Sequence, residues 1–360
     1  MKDITLFKVR MAPNVATALA PVLQSGYIGQ GVKVDEFERE FTMEYAPYPI
    51  VTTNACTAAI HMILMHLGIG PGDEVITTPL TCIATNAPIL AVGARLIWAD
   101  VDDETGNIDP DDVGRKVTKR TKAIIAVDWT GRPANYPALR AFGFPVIEDA
   151  AHGPLVEHAV TGDYVCYSFG PIKHMTCGDG GAVGTPDPEA RASLALLRWY
   201  GLDRTSQKDF RCEQNIQKAG MKFHMNDINA TIGLTNLPFL RETVAAHRRN
   251  ARALYDGIIA LHLEWLWQAP FSPESNYWVF PVLTANPIIR ERLKKHLAQC
   301  GIGASQVHAR NDHHAAYSFP NGPLPGLEMF DARHLNLPCG WWVRDDDITR
   351  ILEALDEFVA

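Results

Sequence analysis

No CxxC pair occurs anywhere in the 360 residues, and the seven cysteines, at positions 56, 82, 166, 177, 212, 300 and 339, are scattered and odd in number. A disulfide framework and a thiol-based zinc site are therefore not expected. Thiols spread in this way suit a reducing compartment. Long apolar runs are missing too: none approaches the ~18 residues a membrane span needs. The opening MKDITLFKVR has no apolar segment of the secretory kind, so a cytoplasmic protein with no membrane partner is expected. Basic charge is also short. Lys and Arg total 33 against 41 Asp and Glu, a net charge of −8, which argues against nucleic acid as a partner. A small phosphorylated ligand is still compatible, because a few cations and a helix end suffice to hold one.

What is present is ordinary globular composition, with 47% hydrophobic and 21% charged residues. That excludes a disordered, collagenous or coiled-coil chain. The length leaves room for two domains at ~150 residues each. Thirteen histidines invite a metal reading, but the sequence gives it little support. His61 and His66 are five apart and would not share a helix face. Asp312, His313 and His314 are adjacent and point different ways, so they read as a solvated loop. No metal site is expected.

The first two-thirds alternates short apolar runs with helix-length segments. Strands are expected at 50–53, 74–78, 95–99, 123–127 and 145–147, with helices near 56–67, 82–92, 110–116 and 134–141 between them. Such alternation argues for an α/β fold with a mostly parallel sheet flanked by helices. The glycine-rich run 68–73 ends a helix and precedes a strand. That is the reverse of the order a dinucleotide fingerprint requires. Further strands are expected at 163–169 and 181–185. From Pro238 a long helix should carry Leu240, Val244, His247, Ala251, Leu254 and Ile258 on one face. A strand near 278–283, a helix at 287–299 and a closing helix complete the chain. In that last helix Asp345–Asp347 start a stripe of Ile348, Ile351, Leu352, Leu355 and Val359. A domain boundary falls near residue 240. This gives a large domain over 1–240, whose first segment can pack on the other domain, and a smaller C-terminal α/β domain over 241–360.

Three segments carry chemistry. Thr53-Asn54-Ala55-Cys56-Thr57-Ala58-Ala59 runs from a strand end into a helix start, where small residues and free amides suit an anion. Val146-Ile147-Glu148-Asp149-Ala150-Ala151-His152 ends a buried strand in two acids, at the sheet edge where α/β proteins bind ligands. A buried acid needs a cation or strong donor, or else it caps the next helix. Ser168-Phe169-Gly170-Pro171-Ile172-Lys173-His174-Met175-Thr176-Cys177-Gly178-Asp179-Gly180-Gly181 sets one lysine among small and apolar residues. Desolvation would favour its neutral, nucleophilic amine. A phosphate cradle, an acid and a lysine 24 residues further on are the parts that hold pyridoxal phosphate.

With these residues in view, the sequence resembles the DegT/DnrJ/EryC1/StrS family of pyridoxal-phosphate-dependent nucleotide-sugar aminotransferases, which have the fold of the aspartate aminotransferase class (fold type I). The resemblance runs from about Gly26 to the C-terminus. It includes Gly26-Tyr27-Ile28-Gly29-Gln30-Gly31, Glu36-Phe37-Glu38, Gly68-Ile69-Gly70-Pro71-Gly72-Asp73-Glu74-Val75-Ile76 and Asn107-Ile108-Asp109-Pro110, followed in order by the Asp149 and Lys173 segments. It implies that Lys173 is the Schiff-base lysine, Asp149 the partner of the pyridine nitrogen, and His152 a neighbour of the cofactor ring. Ser168, Thr57 and the Cys56 and Thr57 amides would hold the phosphate. The segment 221–227 matches one that reaches a neighbouring subunit's site. Lys222 would then touch the partner's cofactor phosphate, implying a homodimer with shared active sites. His308, with His224, would lie toward the sugar. Cys82 stands where relatives carry an aromatic residue stacked on the pyridine ring. Glu157 and His158 stand where they have a small hairpin, and His224 where many have Arg or Asn.

The expected activity is transfer of an amino group from an amino acid, L-glutamate by analogy, to a nucleotide-linked keto-deoxy sugar. Two other readings compete. One is a sugar dehydratase of the same family, in which histidine replaces the lysine; here Lys173 holds that position and His174 follows. The other is a non-catalytic regulatory paralogue that binds the cofactor.

Overall fold

A computed structural model describes residues 3–155, 157–206, 212–319 and 322–360. Seven strands form the main sheet: β1 (Ile50–Thr53), β2 (Glu74–Thr77), β3 (Arg95–Trp98), β4 (Thr121–Val127), β5 (Val146–Asp149), β6 (Tyr164–Ser168) and β7 (Gly181–Gly184). Their order is β1-β7-β6-β5-β4-β2-β3. The run from β6 to β3 is parallel, and β7 is antiparallel to both β6 and β1. The chain is thus a mixed α/β fold of the fold type I kind.

Both faces of this sheet are covered, which is why its strands read as unbroken apolar runs. Neighbouring side chains on a strand point to opposite faces. Val75 and Ile125 accordingly enter one core with Ile60 and Ile63 of the helix Cys56–His66. Ile76 and Ile124 enter another, with Val113 of Pro110–Lys116 and Tyr136 and Leu139 of Tyr136–Arg140. A third core gathers Phe37 and Phe41 of the helix Val32–Glu44 with Val165, Tyr167 and Phe169. Asp109 caps Pro110–Lys116 by accepting from the Asp111 and Asp112 amides, and Asn135 caps Tyr136–Arg140.

The long helix runs Leu240–Leu261, with Leu240, Val244, His247, Ala251, Leu254 and Ile258 all buried. It leads to a second, antiparallel sheet of β8 (Leu266–Trp267), β9 (Phe280–Thr284) and β10 (His334–Leu337), in the order β10-β9-β8. This sheet shares a core with Leu293 and Leu297 of Pro287–Gln299 and with Ile351 and Leu355 of Asp345–Asp356. Ile4 enters the same core. Its amide donates to the Gly301 carbonyl, and its carbonyl accepts from the Gly303 amide.

Several details depart from the sequence reading. The expected strand 278–283 begins two residues later, because Asn276, Tyr277 and Trp278 are bonded elsewhere. Val359 lies beyond the closing helix and is 78% exposed, so it is no part of the buried stripe. Strands β8 and β10 and the helices Val15–Gln24, Val32–Glu44, Pro188–Leu197, Asp227–Asn236 and Pro325–Arg333 were not anticipated. Among the described residues no helix is long and apolar enough to cross a membrane.

Candidate active site

The parallel strands β5 and β6 end side by side, and β7 begins at the same edge. Ser168 and Thr53 both pair with Gly181, one from each side. A Cβ on Gly181 would lie 2.4 Å from the Cys56 amide nitrogen, so only glycine lets the strand pass so close to the start of the helix Cys56–His66. Ser168, Cys56 and Thr57 therefore meet at one helix N-terminus, with the Ser168 Oγ accepting from the Gly170 amide at 3.5 Å. Cys56 is buried, whereas Thr57 is half-buried.

Asp149 ends β5 next to this turn. Only 4% of it is exposed. Its Oδ2 accepts from the Thr85 hydroxyl at 2.7 Å, and its Oδ1 from the Ala151 amide at 3.1 Å, with the Cys56 Sγ at 3.8 Å. Among the described residues it has no ion pair within 4.0 Å. Burial pushes its carboxyl above the usual range, against the Thr85 and Ala151 hydrogen bonds and the charge of Lys173. Burial also pushes the Cys56 thiol well up, reinforced by Asp149.

Lys173 follows the Ser168 turn. Burial lowers its ammonium below the ordinary lysine value, opposed chiefly by the charge of Asp149. Its Nζ lies 4.1 Å from the Trp278 ring centroid. Cys82 immediately precedes the helix Ile83–Ala91, whose first turn supplies Thr85. His152 is 2% exposed and stacks on Trp278, with centroids 4.0 Å apart and planes at 15°. His308 lies nearly parallel to His152 at 5.8 Å, and Trp129 closes against both. The His152 Nδ1 and His308 Nε2 are buried without a hydrogen-bond partner among the described residues. Burial holds the His152 imidazole well below its ordinary value, and the His308 imidazole falls to about 4 for the same reason. Both rings are neutral at pH 7.

The structure thus brings together Asp149, Lys173, His152, Cys56, Cys82 and His308, with Thr57 and Ser168 at the adjoining helix end. Among the described residues, the side chains of Lys222 and His224 make no hydrogen bond, ion pair or ring contact with these residues. Lys222 is exposed, and its carbonyl accepts from the Asn54 side chain. His224 packs edge-on to Trp199 at 3.8 Å, and burial lowers its imidazole to about 4. Three contributors escaped the sequence reading: Thr85, Trp129 and Trp278. Thr85 lies one turn into the helix that Cys82 begins, a spacing that could have exposed it. Trp278 is 105 residues from Lys173, and nothing local signals it.

Behind Asp149, the side chains of Asp128, Glu148 and His158 bring their ligand-type atoms within 4.8 Å of one another. The His158 Nε2 faces the Glu148 Oε1 at 3.1 Å, and its Nδ1 faces the Val160 carbonyl at 2.8 Å. Both neighbours are acceptors, so both ring nitrogens donate, which uses the lone pair a metal would need. Asp128 accepts from the Tyr136 hydroxyl at 2.6 Å, and Glu148 from the Gly162 amide at 2.8 Å. The site is a charge clamp on the strand that carries Asp149.

A buried carboxylate at a strand end, a desolvated lysine and a helix N-terminus define a cofactor-dependent α/β enzyme. The donor set fits pyridoxal phosphate. Among the described residues Asp149 has no cationic side chain in contact, so a ring N–H⁺ would suit it as partner, while the helix start between Ser168 and Thr57 offers amides to a phosphate. The comparisons with known proteins agree. Residues 10–356 match the model of the DegT/DnrJ/EryC1/StrS aminotransferase family. The chain belongs to this pyridoxal-phosphate-dependent family. It is 35% identical to AtS13 from Actinomadura melliaura, covering 100% of both chains at a TM-score of 0.92. It is 34% identical to the sugar aminotransferase CalS13 from Micromonospora echinospora, covering 99% of this chain and 100% of that one at 0.90. With the aminotransferase TlmJ from Streptoalloteichus hindustanus it shares 27% identity over 98% of each chain, at 0.89.

Proposed function

We propose that this aminotransferase moves an amino group from an amino acid, L-glutamate in this reading, to a keto-deoxy sugar carried on a nucleotide. Lys173, Asp149 and His152 form the reaction centre. Cys56, Thr57, Cys82 and Ser168 surround the cofactor, and His308 and His224 lie toward the sugar. The observation that carries the reading is Asp149, a buried carboxylate held by Thr85 and Ala151, with no cation within 4.0 Å among the described residues and Lys173 beside it.

When bound, pyridoxal phosphate supplies a protonated ring that takes up the electron pair released at the donor's α-carbon. Asp149 keeps the proton on the ring nitrogen, and Thr85 and the Ala151 amide fix the direction of its carboxylate. Ser168, Thr57 and the helix-start amides bind the phosphate. Lys173, with its charged form disfavoured by burial, takes a proton from the donor's α-carbon as general base and returns it at C4′ as general acid. The second half-reaction runs these steps in reverse on the sugar. His152, Trp278 and Trp129 wall off water. A dehydratase with histidine as the reacting group is disfavoured by His174, whose Nε2 faces the Asn276 carbonyl at 3.0 Å and whose ring packs against His247.

The reading includes a cytoplasmic homodimer in which Lys222 reaches the partner's cofactor phosphate. Its exposed position supports this, together with the exposed apolar side chains of Tyr27, Ile28, Val32 and Met221. It also includes a division of the chain near residue 240, supported by the separate core around β8–β10. The test is borohydride reduction of the cofactor-loaded protein, followed by peptide mapping. The cofactor should be fixed on Lys173; fixation on another lysine would overturn the assignment. A panel of keto-sugar nucleotides with glutamate, read by 2-oxoglutarate release, then identifies the acceptor. No release with any member would refute the substrate class.

A further inference from the structure

The segment 276–278 grips Lys173 from three directions. The Trp278 indole N–H donates to the carbonyl of Ile172, the residue before the lysine, at 2.9 Å. The Asn276 carbonyl faces the Nε2 of His174, the residue after it, at 3.0 Å. Between these two bonds, the Lys173 Nζ lies 4.1 Å from the centroid of the Trp278 ring. Among the described residues, the ammonium has no carboxylate within 4.0 Å, so the ring quadrupole is its close electrostatic partner.

Trp278 is itself immobilised. It is 2% exposed, its amide donates to the Thr130 carbonyl at 2.8 Å, and its ring stacks on His152 and, at 4.7 Å, on Phe7. Tyr277, just before it, has φ of 46°. That left-handed backbone is costly for a tyrosine and persists only where its surroundings fix it. The Tyr277 carbonyl is accordingly bonded to His247 at 2.9 Å, and its hydroxyl accepts from the Ser272 amide at 2.8 Å.

From this geometry we propose that Trp278 is a positioning residue: its π-face is the seat at which the Lys173 amine, once released from the cofactor, waits between proton transfers. The proposal rests on the reading of Lys173 as the reacting amine. Once in each full cycle such an amine is released, and it must stay within reach of the reacting carbons through both half-reactions until it is bonded again. A lysine has four side-chain torsions with which to wander. The indole face gives it one place to wait, close to the ring wall and not in contact with Asp149. Cys82 offers no such face, so the aromatic surface at this site comes from 278 and not from the helix Ile83–Ala91.

The test follows the amine, not turnover. The full chain, loaded with pyridoxamine phosphate so that Lys173 is free, is acetylated with a trace of acetic anhydride between pH 6 and 11. Modification of Lys173 is read by peptide mass spectrometry. A cation–π contact favours the ammonium, so Trp278→Leu should raise Lys173 acetylation at pH 7 by about three- to tenfold, and Trp278→Phe by less. Uniform replacement of tryptophan by its mono- and trifluorinated analogues weakens the π-face without changing its shape. Lys173 reactivity should climb with each fluorine, which keeps the test available should the leucine variant fail to fold. A Lys173 titration indifferent to fluorination would overturn the proposal. Failure of the functional reading looks different: borohydride would then fix the cofactor on some other lysine, whatever the fluorinated proteins do.

Discussion

Replacing Glu148 and His158 together by glutamine should flatten the alkaline side of the protein's stability profile. The His158 side chain is 8% exposed and that of Glu148 fully buried. Burial alone would lower the imidazole, but the hydrogen bond and charge of Glu148, aided by Asp128, hold it up to about 9 against an ordinary 6.5. A pKa raised in the folded state adds stability that is fully present below the unfolded value and disappears as pH climbs through the folded one. The full shift corresponds to about 3 kcal/mol. Between pH 7 and 9.5, about 2 kcal/mol of it should be lost. At ~2 °C per kcal/mol for a chain of this size, the wild type should lose ~4 °C more in thermal midpoint than the double variant over that interval. Removing both partners matters, because His158→Gln alone would leave Glu148 buried without its cation, a cost of ~3–5 kcal/mol that brings its own pH dependence. Melting curves for the two proteins in matched buffers decide the matter. Parallel profiles from pH 7 to 9.5 would show that the clamp carries no net proton, and the reasoning would fail.

Three more outcomes are expected. Lys173→Ala should lower turnover by about 10³-fold or more while leaving the thermal midpoint near that of the wild type, and retained turnover would remove the lysine from the reaction. Gly181→Ala should cost ~3 kcal/mol and weaken phosphate-ester binding in parallel, because the new methyl meets the Cys56 amide nitrogen at 2.4 Å; an unchanged melting curve and unchanged cofactor affinity would contradict the packing described. Subunits carrying Lys173→Ala, mixed equally with subunits carrying Lys222→Ala, should recover about a quarter of wild-type activity if each site draws one lysine from each chain. No recovery after verified exchange would count against shared sites.

The main sheet was readable because its strands are short, apolar and bounded by turns, and the long helix because six apolar or neutral residues recur on one stripe. Strand β10 escaped because His334 and Asn336 interrupt its apolar pattern. Both are buried in the fold, and the His334 ring nitrogens face the Phe330 and Gln306 carbonyls, either of which can accept from the ring's N–H, a compensation no local pattern reveals. β8 is too short to register. Within the site, Asp149 and Lys173 were legible because each stands out within its own segment. Trp278 was not, since its relation to Lys173 exists only after residues 276–278 fold back over the sheet edge. His158 was noticed as out of place, but its role needed Glu148 and Asp128 brought beside it from two neighbouring strands.

That fold-back also limits how a substrate enters. The Thr130 and Gly131 carbonyls accept from the Trp278 and Asn276 amides, the Asn276 side chain bonds both the amide and carbonyl of Leu155, and Asn311 is tied to Pro79, Thr81 and Asn86. Swinging the C-terminal third outward as a rigid door would tear these seams open at the reaction centre itself. A substrate that reaches Lys173 by displacing surface loops leaves all of these bonds in place, whereas one that needs the two sheets to part must break them.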